Sequence, residues 1–189
     1  MSSMLNFSPE RAMQSAKKAL EAQLWNVLQA KEGLDVDQSL YGANGLPKPV
    51  YIGASPHDDL AIDQLTPGVF LEYRLSNSFL GDASHALRTR PTIEARVLLS
   101  EHDTGTTVPE EFVAQIDAYL GAIAYVLSTW WIDRGAACDA GVDSARIVQI
   151  DRTPLVRVAE SSVWVRMGRV VIELDQRLFN QWDQLIGEP

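Results

Sequence analysis

The feature that most constrains this fold is a strand that runs directly into a long helix. Apolar and polar residues alternate over 91–100, and a period of two is typical of a strand with one buried face and one solvated face. Over 108–132 the apolar residues return at helical spacing, and the second half of this helix is apolar nearly all round. Such a helix needs two packing partners. We expect it to pack on a sheet and also on either the first helix or a neighbouring subunit.

The remaining patterns predict a single α+β domain over the whole chain. A long N-terminal helix is expected between its N-cap Ser8 and its terminating Gly33. Strands are predicted at 50–52 and 69–75, and further strands fill most of 145–175. We therefore predict a mostly antiparallel sheet, with the long N-terminal helix and the central amphipathic helix packed on it.

Three places depart from the periodicity of core elements. Residues 76–90 mix small and polar residues with two arginines, which predicts an extended β-arm or a flexible loop. Such loops often carry contacts in assemblies, although a disordered surface segment would have the same composition. Residues 177–189 form a C-terminal tail whose apolar residues have the spacing of one or two helical turns. Gly168 separates two strand patterns, so we expect a turn or a bulge there.

The charge balance limits what the chain can bind. The formal charge is −9, whereas tight binding to nucleic acid through phosphate contacts needs a positive surface. After Lys48 every cation is an arginine. Arginine is favoured at protein interfaces, although codon bias would explain the same pattern. We expect protein partners and no specific binding to DNA.

Signals for secretion, membrane insertion and disulfide formation are weak in this sequence. The N-terminus has no basic stretch followed by an apolar core, so no signal peptide is expected. The lone Cys138 lies in a Gly/Ala/Asp linker, cannot form an intrachain disulfide, and is expected to be a passive thiol. The apolar run 118–132 is too short and too interrupted to span a bilayer. These features favour an intracellular or virion-borne protein without a membrane partner.

Candidate catalytic residues are confined to two polar loops. His57, Asp58 and Asp59 lie in one loop, and His102 and Asp103 lie in the other. Imidazole and carboxylate groups could bind a divalent metal, but both loops also have the composition of ordinary polar turns, which is the interpretation we favour. The sequence contains no phosphate-binding glycine loop, nucleophile elbow, metalloprotease motif or Cys-x-x-Cys pair. We therefore expect no enzyme activity, no cofactor and no metal.

Seven residues are candidates for a subunit interface, because tryptophan and arginine are enriched at protein interfaces. Trp25 lies at the edge of the apolar stripe of the first helix, where it either closes the core margin or contacts a partner. Trp130 and Trp131 end the central helix, where adjacent aromatic residues typically close a core on one side and touch a partner on the other. The remaining candidates are Arg88, Arg90, Arg166 and Arg169.

Three stretches carry a family resemblance. They are Pro67-Gly-Val-Phe-Leu-Glu-Tyr-Arg74, then Arg90-Pro-Thr-Ile-Glu-Ala-Arg-Val-Leu-Leu99 leading into the helix, and the closing Val163-Trp-Val-Arg-Met with Val170-Val-Ile-Glu-Leu174. In order and layout the chain resembles the tail terminator proteins of tailed bacteriophages, also called tail completion or neck proteins, including the Mu-like gp37 type. Residues 34–68 and 177–189 do not match features of that family.

The resemblance implies a structural virion protein. It implies a homo-hexameric ring that caps the tail tube, ends tail polymerisation and joins the tail to the neck and head. Tail tube and neck or connector proteins, with the sheath in contractile tails, would be its partners, and DNA would pass through an acidic lumen without specific binding. The protein would be found in the virion, and in the host cytoplasm during assembly. Two alternatives stay open: another head–tail connector or sheath-associated subunit, and a small metal-dependent enzyme that uses the loop histidines and aspartates.

Overall fold

The computed structural model describes residues 9–32, 50–52, 68–74, 79–81, 87–102, 109–132, 141–154, 156–157 and 163–178. Two helices dominate, α1 (Pro9–Glu32) and α2 (Pro109–Thr129), and a 3-10 turn (Trp130–Ile132) extends the second. The strands are β1 (Val50–Ile52), β2 (Gly68–Arg74), β3 (Phe79–Gly81), β4 (Leu87–Thr89), β5 (Thr92–His102), β6 (Val142–Arg152), β7 (Val156–Arg157) and β8 (Val163–Leu178).

These eight strands form one sheet. The sheet is five strands wide, because β3 continues β2, β4 continues β5 and β7 continues β6. β1 pairs in parallel with β2, and the remaining described pairings are antiparallel. β2 and β3 form one side of a long hairpin, and β4 and β5 form the other. Because β5 and β6 both pair with residues 168–173 of β8, they lie on opposite edges of that strand. The predicted α+β fold with a mostly antiparallel sheet is confirmed.

The hairpin line formed by β4 and β5 pairs with β8 in one unbroken register. Thr89 pairs with Gln176 and Thr92 pairs with Glu173, so each chain advances by the same number of residues between the two pairs. Between them the backbone amide of Leu174 donates to the carbonyl of Pro91 at 2.8 Å. Proline lacks an amide hydrogen but can still accept, so Pro91 interrupts the strand assignment without breaking the ladder.

Both helices pack on the same face of the sheet, as predicted. In β5 the buried apolar residues are Ile93, Ala95, Val97 and Leu99, which confirms the apolar alternation expected for this strand. α2 packs on α1 as well as on β5, β6 and β8, so α1 supplies the second partner that the helix needed. The indole nitrogen of Trp130 donates to the Ser15 hydroxyl at 2.9 Å and ties the end of α2 to α1. No described helix has the length and apolarity that a bilayer crossing requires.

Two polar side chains are buried together at one end of this core. The Tyr73 hydroxyl donates to the Gln176 amide oxygen at 3.1 Å, and Gln176 is 1% exposed. Burial raises the pKa of Tyr73 to about 12, so the hydroxyl keeps its proton and remains a donor at physiological pH. The bond satisfies two polar groups that would otherwise be costly to bury.

The turn or bulge expected at Gly168 is absent, and that prediction is wrong. β8 is continuous through Gly168, which pairs with Val97; the register shifts lie in β6 instead. A Cβ atom at Gly168 would lie 2.7 Å from Cδ2 of Leu120. Glycine is therefore needed here because α2 approaches the sheet closely, and a sequence pattern cannot distinguish this reason from a turn.

Residues 76–90 contain two strands of the sheet. β3 and β4 pair with each other, and β4 continues onto β8, whereas the main contacts of the helices are with β1, β2, β5, β6 and β8. Among the described residues, β3 and β4 thus lie outside the main contacts of both helices, and the role of this end of the hairpin as an arm toward other subunits stays a prediction. Within the predicted tail, Arg177 and Leu178 belong to β8, while 179–189, like Ser8 and Gly33, lie outside the described residues.

Replacing Gly168 with alanine should lower the free energy of unfolding by about 1–3 kcal/mol, because the added methyl group must displace Leu120. Urea denaturation measures this change. Gly121→Ala, at an exposed position of α2, the helix that carries Leu120, is the control. It should raise the free energy of unfolding by about 0.5–1 kcal/mol. Adding Leu120→Ala to Gly168→Ala should give less than the sum of the two single effects. Additive effects would contradict the close contact.

Candidate interaction surface

The sheet face opposite the helices carries a cluster of charged side chains. We define the Glu94 cluster as Glu72, Arg74, Glu94, Arg96, Asp151 and Arg169. Like charges lie directly opposite each other on neighbouring strands, since Glu72 pairs with Glu94 and Arg96 pairs with Arg169. Direct like-charge pairs are destabilising. Between β2 and β5 the attractive contacts run diagonally, with Arg96 2.9 Å from Glu72 and Arg74 3.2 Å from Glu94.

Glu94 is at the centre of this cluster and is only 3% exposed. Its carboxylate accepts from Nε of Arg96 at 2.7 Å, and guanidinium nitrogens of Arg74 and Arg169 lie 3.2 and 3.7 Å away. A buried carboxylate is tolerated only where charges and donors compensate its lost hydration. The expectation that the polar face of β5 is solvated is therefore wrong at Glu94.

Asp151 and Arg169 form the outer part of the cluster. Nε of Arg169 donates to Oδ2 of Asp151 at 3.0 Å, and this bond is the main cause that holds the pKa of Asp151 below its ordinary value. The same bond raises the pKa of Arg169. The three acids and three arginines of the cluster cancel, so this face offers no excess positive charge to a phosphate backbone.

A second surface is apolar and lies along the β6 edge. Large apolar side chains that are exposed in the described part of the chain all lie in α2, the 3-10 turn, β6 or β7. We call this set the apolar flank; it comprises Tyr125, Ile132, Ile147, Val148, Ile150 and Val156. Clustered exposed apolar residues on a folded protein typically mark an interaction site.

Two isoleucines show how the flank arises. Ile147 pairs with Ile172 and Ile150 pairs with Val170, and both partners are fully buried. Directly paired residues lie on the same face of a sheet, so the two isoleucines are on the helix-covered face, yet they are 38% and 50% exposed. The ion pair between Arg152 and Asp117 ties the end of β6 to α2. The helices thus leave much of β6 uncovered.

The structure separates the three candidate tryptophans. Trp130 is 3% exposed inside the subunit, so it presents little surface to a partner. Trp25 is half-buried on α1. Trp131 packs against the core, and its indole N–H is buried with no acceptor within the described residues. An unpaired buried donor of this kind is costly unless water or a partner satisfies it.

The four candidate arginines are also dispersed. Arg166 is 8% exposed and its Nε donates to the Thr153 carbonyl at 3.1 Å. Its side chain therefore makes a contact within the subunit and presents little surface to a partner. Arg169 belongs to the Glu94 cluster. Arg88 lies in β4, and Arg90 follows that strand and is exposed. These two arginines are at the β3–β4 end of the hairpin, where an arm is predicted.

The alternative metal site falls mostly outside the described residues. Of its five candidate ligands only His102, at the end of β5, is described. His57, Asp58, Asp59 and Asp103 lie outside, as do His85 and Cys138. Across the ranges that the structure describes, no group of three or more His, Cys, Asp or Glu residues could hold a metal ion.

Comparison with known proteins gives likenesses among solved structures. No family model matches the sequence, and no curated protein matches it. A solved structure described as the virion of a native gene transfer agent particle superimposes with a TM-score of 0.35 and 17% sequence identity, covering 85% of this chain and 96% of that one. A likeness at this TM-score extends neither to a fold family nor to a function.

Glu94→Gln should lower the free energy of unfolding by about 1–3 kcal/mol, because a neutral amide replaces the buried carboxylate that accepts from the surrounding arginines. Glu72→Gln is the control: this side chain is 28% exposed, and its loss should cost less than about 1 kcal/mol. Urea denaturation of both variants measures the difference. Equal losses of unfolding free energy in the two variants would mean that the burial of Glu94 does not increase its contribution to stability.

The ion pair of Asp151 should make stability depend on pH. Because its pKa is lowered in the folded state, its stabilising effect is present above the ordinary value of about 3.9 and is lost as the pH falls through the folded value. The difference in unfolding free energy between the wild type and Asp151→Asn should therefore shrink on acidification. Denaturation midpoints at neutral and acidic pH measure it. In an Arg169→Gln background the difference should be nearly independent of pH.

Proposed function

We propose that this chain is a structural virion subunit of the tail terminator type. Copies of it form a homo-hexameric ring that caps the tail tube, ends tail polymerisation and joins the tail to the neck. The subunit is made in the host cytoplasm and is carried in the virion. The proposal rests on the sequence resemblance, together with one observation of the fold: β3 and β4 pair with each other and, within the described residues, lie outside the main contacts of both helices.

A ring needs a heterologous contact, in which one surface of a subunit binds a different surface of its neighbour. A β-hairpin that projects past its own helix layer can supply one side of such a contact. Arg88 and Arg90 lie at this end, and arginine forms bidentate pairs with acidic groups, which are abundant on a chain of charge −9. We therefore assign the outer strands β3 and β4, with Arg90, to the contact with the next subunit.

The charge pattern supports a lumen that lets DNA pass. The chain is strongly acidic, and the arginines of the Glu94 cluster are each paired with a carboxylate of the same subunit. A net-negative surface repels the phosphate backbone and gives no specific binding. Tail tube and neck proteins are then the partners of the ring, with the sheath added in a contractile tail.

Arg90→Glu should weaken ring formation by at least about tenfold in protein concentration, because a single reversed charge at an interface costs on the order of 1.4 kcal/mol or more. Native mass spectrometry over a range of concentrations, with negative-stain electron microscopy, measures closed oligomers of about six subunits. Lys18→Glu, an equal charge reversal at an exposed site of α1, is the control and should leave the ring and the melting temperature unchanged.

Two outcomes would contradict the proposal. One is a wild-type protein that forms no closed ring at any concentration, either alone or with tail tubes added. The other is a ring equally sensitive to both charge reversals, which would place the contact elsewhere. Immunogold labelling of virions gives an independent check: a label along the tail, rather than at its head-proximal end, would favour a sheath-associated subunit.

A further inference from the structure

The β6 edge combines exposed backbone with exposed apolar side chains. Within the described residues β6 pairs only with β8, although it is 11 residues long. Val148 and Ile150 on it are 47% and 50% exposed. A long edge strand with apolar residues is a template for pairing with another chain, and natural proteins normally protect such edges.

The hydrogen bonds at the end of β6 fix which backbone groups point outward. The amide of Thr153 donates to the carbonyl of Met167 on β8, so Thr153 faces β8. Backbone direction alternates along a strand, and Ile150 and Arg152 therefore point their amides and carbonyls away from β8. The register shift between Ile147 and Gln149 moves the alternation by one residue, so that Ile147 also points outward.

We propose that two copies of this chain pair through β6, antiparallel, about a two-fold axis between Val148 and Gln149. In this register Ile147 lies opposite the partner's Ile150, and the outward backbone groups of both residues pair across the axis. Arg146 lies opposite the partner's Asp151. Each contact occurs twice because the axis relates the two copies.

In this register the side chains are favourably paired on both faces of the sheet. Ile147 and Ile150 share the helix-covered face, so the axis brings four isoleucine side chains together there. Arg146 and Asp151 share the opposite face, where each already contacts β8, at Glu173 and Arg169 respectively. Opposite charges directly across a strand pair are favourable, as are apolar pairs. The sequence of this edge is thus complementary to itself.

Neighbouring registers lose these matches. Moving the axis by one residue in either direction places Arg146 opposite Gln149 or Thr153 of the partner, and Ile147 opposite Val148 or Arg152. In both alternative registers the bulge between Ile147 and Gln149 of one copy is no longer opposite the bulge of the other copy. With the axis between Val148 and Gln149 the two bulges face each other, and pairing continues on both sides.

This pairing is separate from the proposed ring and does not rest on it. A two-fold contact uses the same patch on both copies and closes at two subunits, whereas a ring needs a heterologous contact. The dimer uses β6, and the ring is assigned to the outer hairpin. Ile150→Lys and Arg90→Glu therefore test the two proposals independently.

Analytical ultracentrifugation of the full chain at increasing concentration tests the dimer. The wild type should show a monomer–dimer equilibrium, and Ile150→Lys should raise the dissociation constant at least about tenfold, because edge lysines oppose strand pairing. Val156→Lys, at a 56% exposed apolar residue of β7 outside the paired register, is the matched control and should leave the constant unchanged. A wild-type monomer at every concentration, or equal effects of both lysines, would overturn the proposal.

Disulfide cross-linking tests the register. In a Cys138→Ser background, Ile147→Cys and Ile150→Cys chains should cross-link when mixed, since opposing residues of a hydrogen-bonded antiparallel pair have Cα atoms about 5.5 Å apart. Neither variant should cross-link efficiently by itself, because each cysteine lies several residues from its own symmetry mate. Cross-linking of either variant alone, or none in the mixture while the dimer persists, would reject this register.

Discussion

Strand β8 holds this sheet together because both of its edges are hydrogen-bonded. One edge pairs with β4 and β5 in a single register, and the other pairs with β6 and β7. The packing of α2 and the Glu94 cluster also depend on β8. Its apolar face meets α2, where Gly168 gives Leu120 the room to approach, and its other face contributes Arg169 to the Glu94 cluster. A change in β8 therefore affects the core and the charged face together.

The two faces of the sheet are stabilised by different forces. On the helix side the burial of apolar residues from both helices and from β2, β5, β6 and β8 provides the main driving force. On the other side, Glu94 is buried without apolar compensation and depends on Arg96 of its own strand and on Arg74 of the neighbouring strand. That arrangement adds geometric specificity, since each guanidinium fits only the carboxylates that the strand register brings near it.

The surfaces available for assembly follow from where the two helices stop. They cover the centre of the sheet but leave β6 partly bare on one side and the β3–β4 end of the hairpin on the other. Bare β6 carries apolar side chains and a self-complementary charge pattern, which suits a two-fold contact. The hairpin end projects and carries arginines, which suits a heterologous contact. The side chains on β6 therefore favour a two-fold dimer, and those at the β3–β4 end favour a ring.

Local patterns determined the elements of this protein. Alternation in β2 and β5, helical spacing in α1 and α2, and the strand-rich end of the chain all follow from short-range periodicity, because burial of one face repeats every 2 or 3.6 residues. The α+β class and the helix-on-sheet arrangement follow in turn, since one-sided elements must bury their apolar faces against each other.

Only the tertiary structure decided which side chains are covered. Trp130 and Arg166 had the residue types of an interface but are buried in the subunit, and Glu94 had a solvated pattern but is enclosed by arginines. Ile147 and Ile150 lie on the helix-covered face of a predicted strand but are exposed. Periodicity fixes the face of a strand on which a side chain lies, whereas its exposure depends on how far a helix from a distant part of the chain extends over that face. That distance is set by packing contacts such as Leu120 on Gly168, which no local pattern contains.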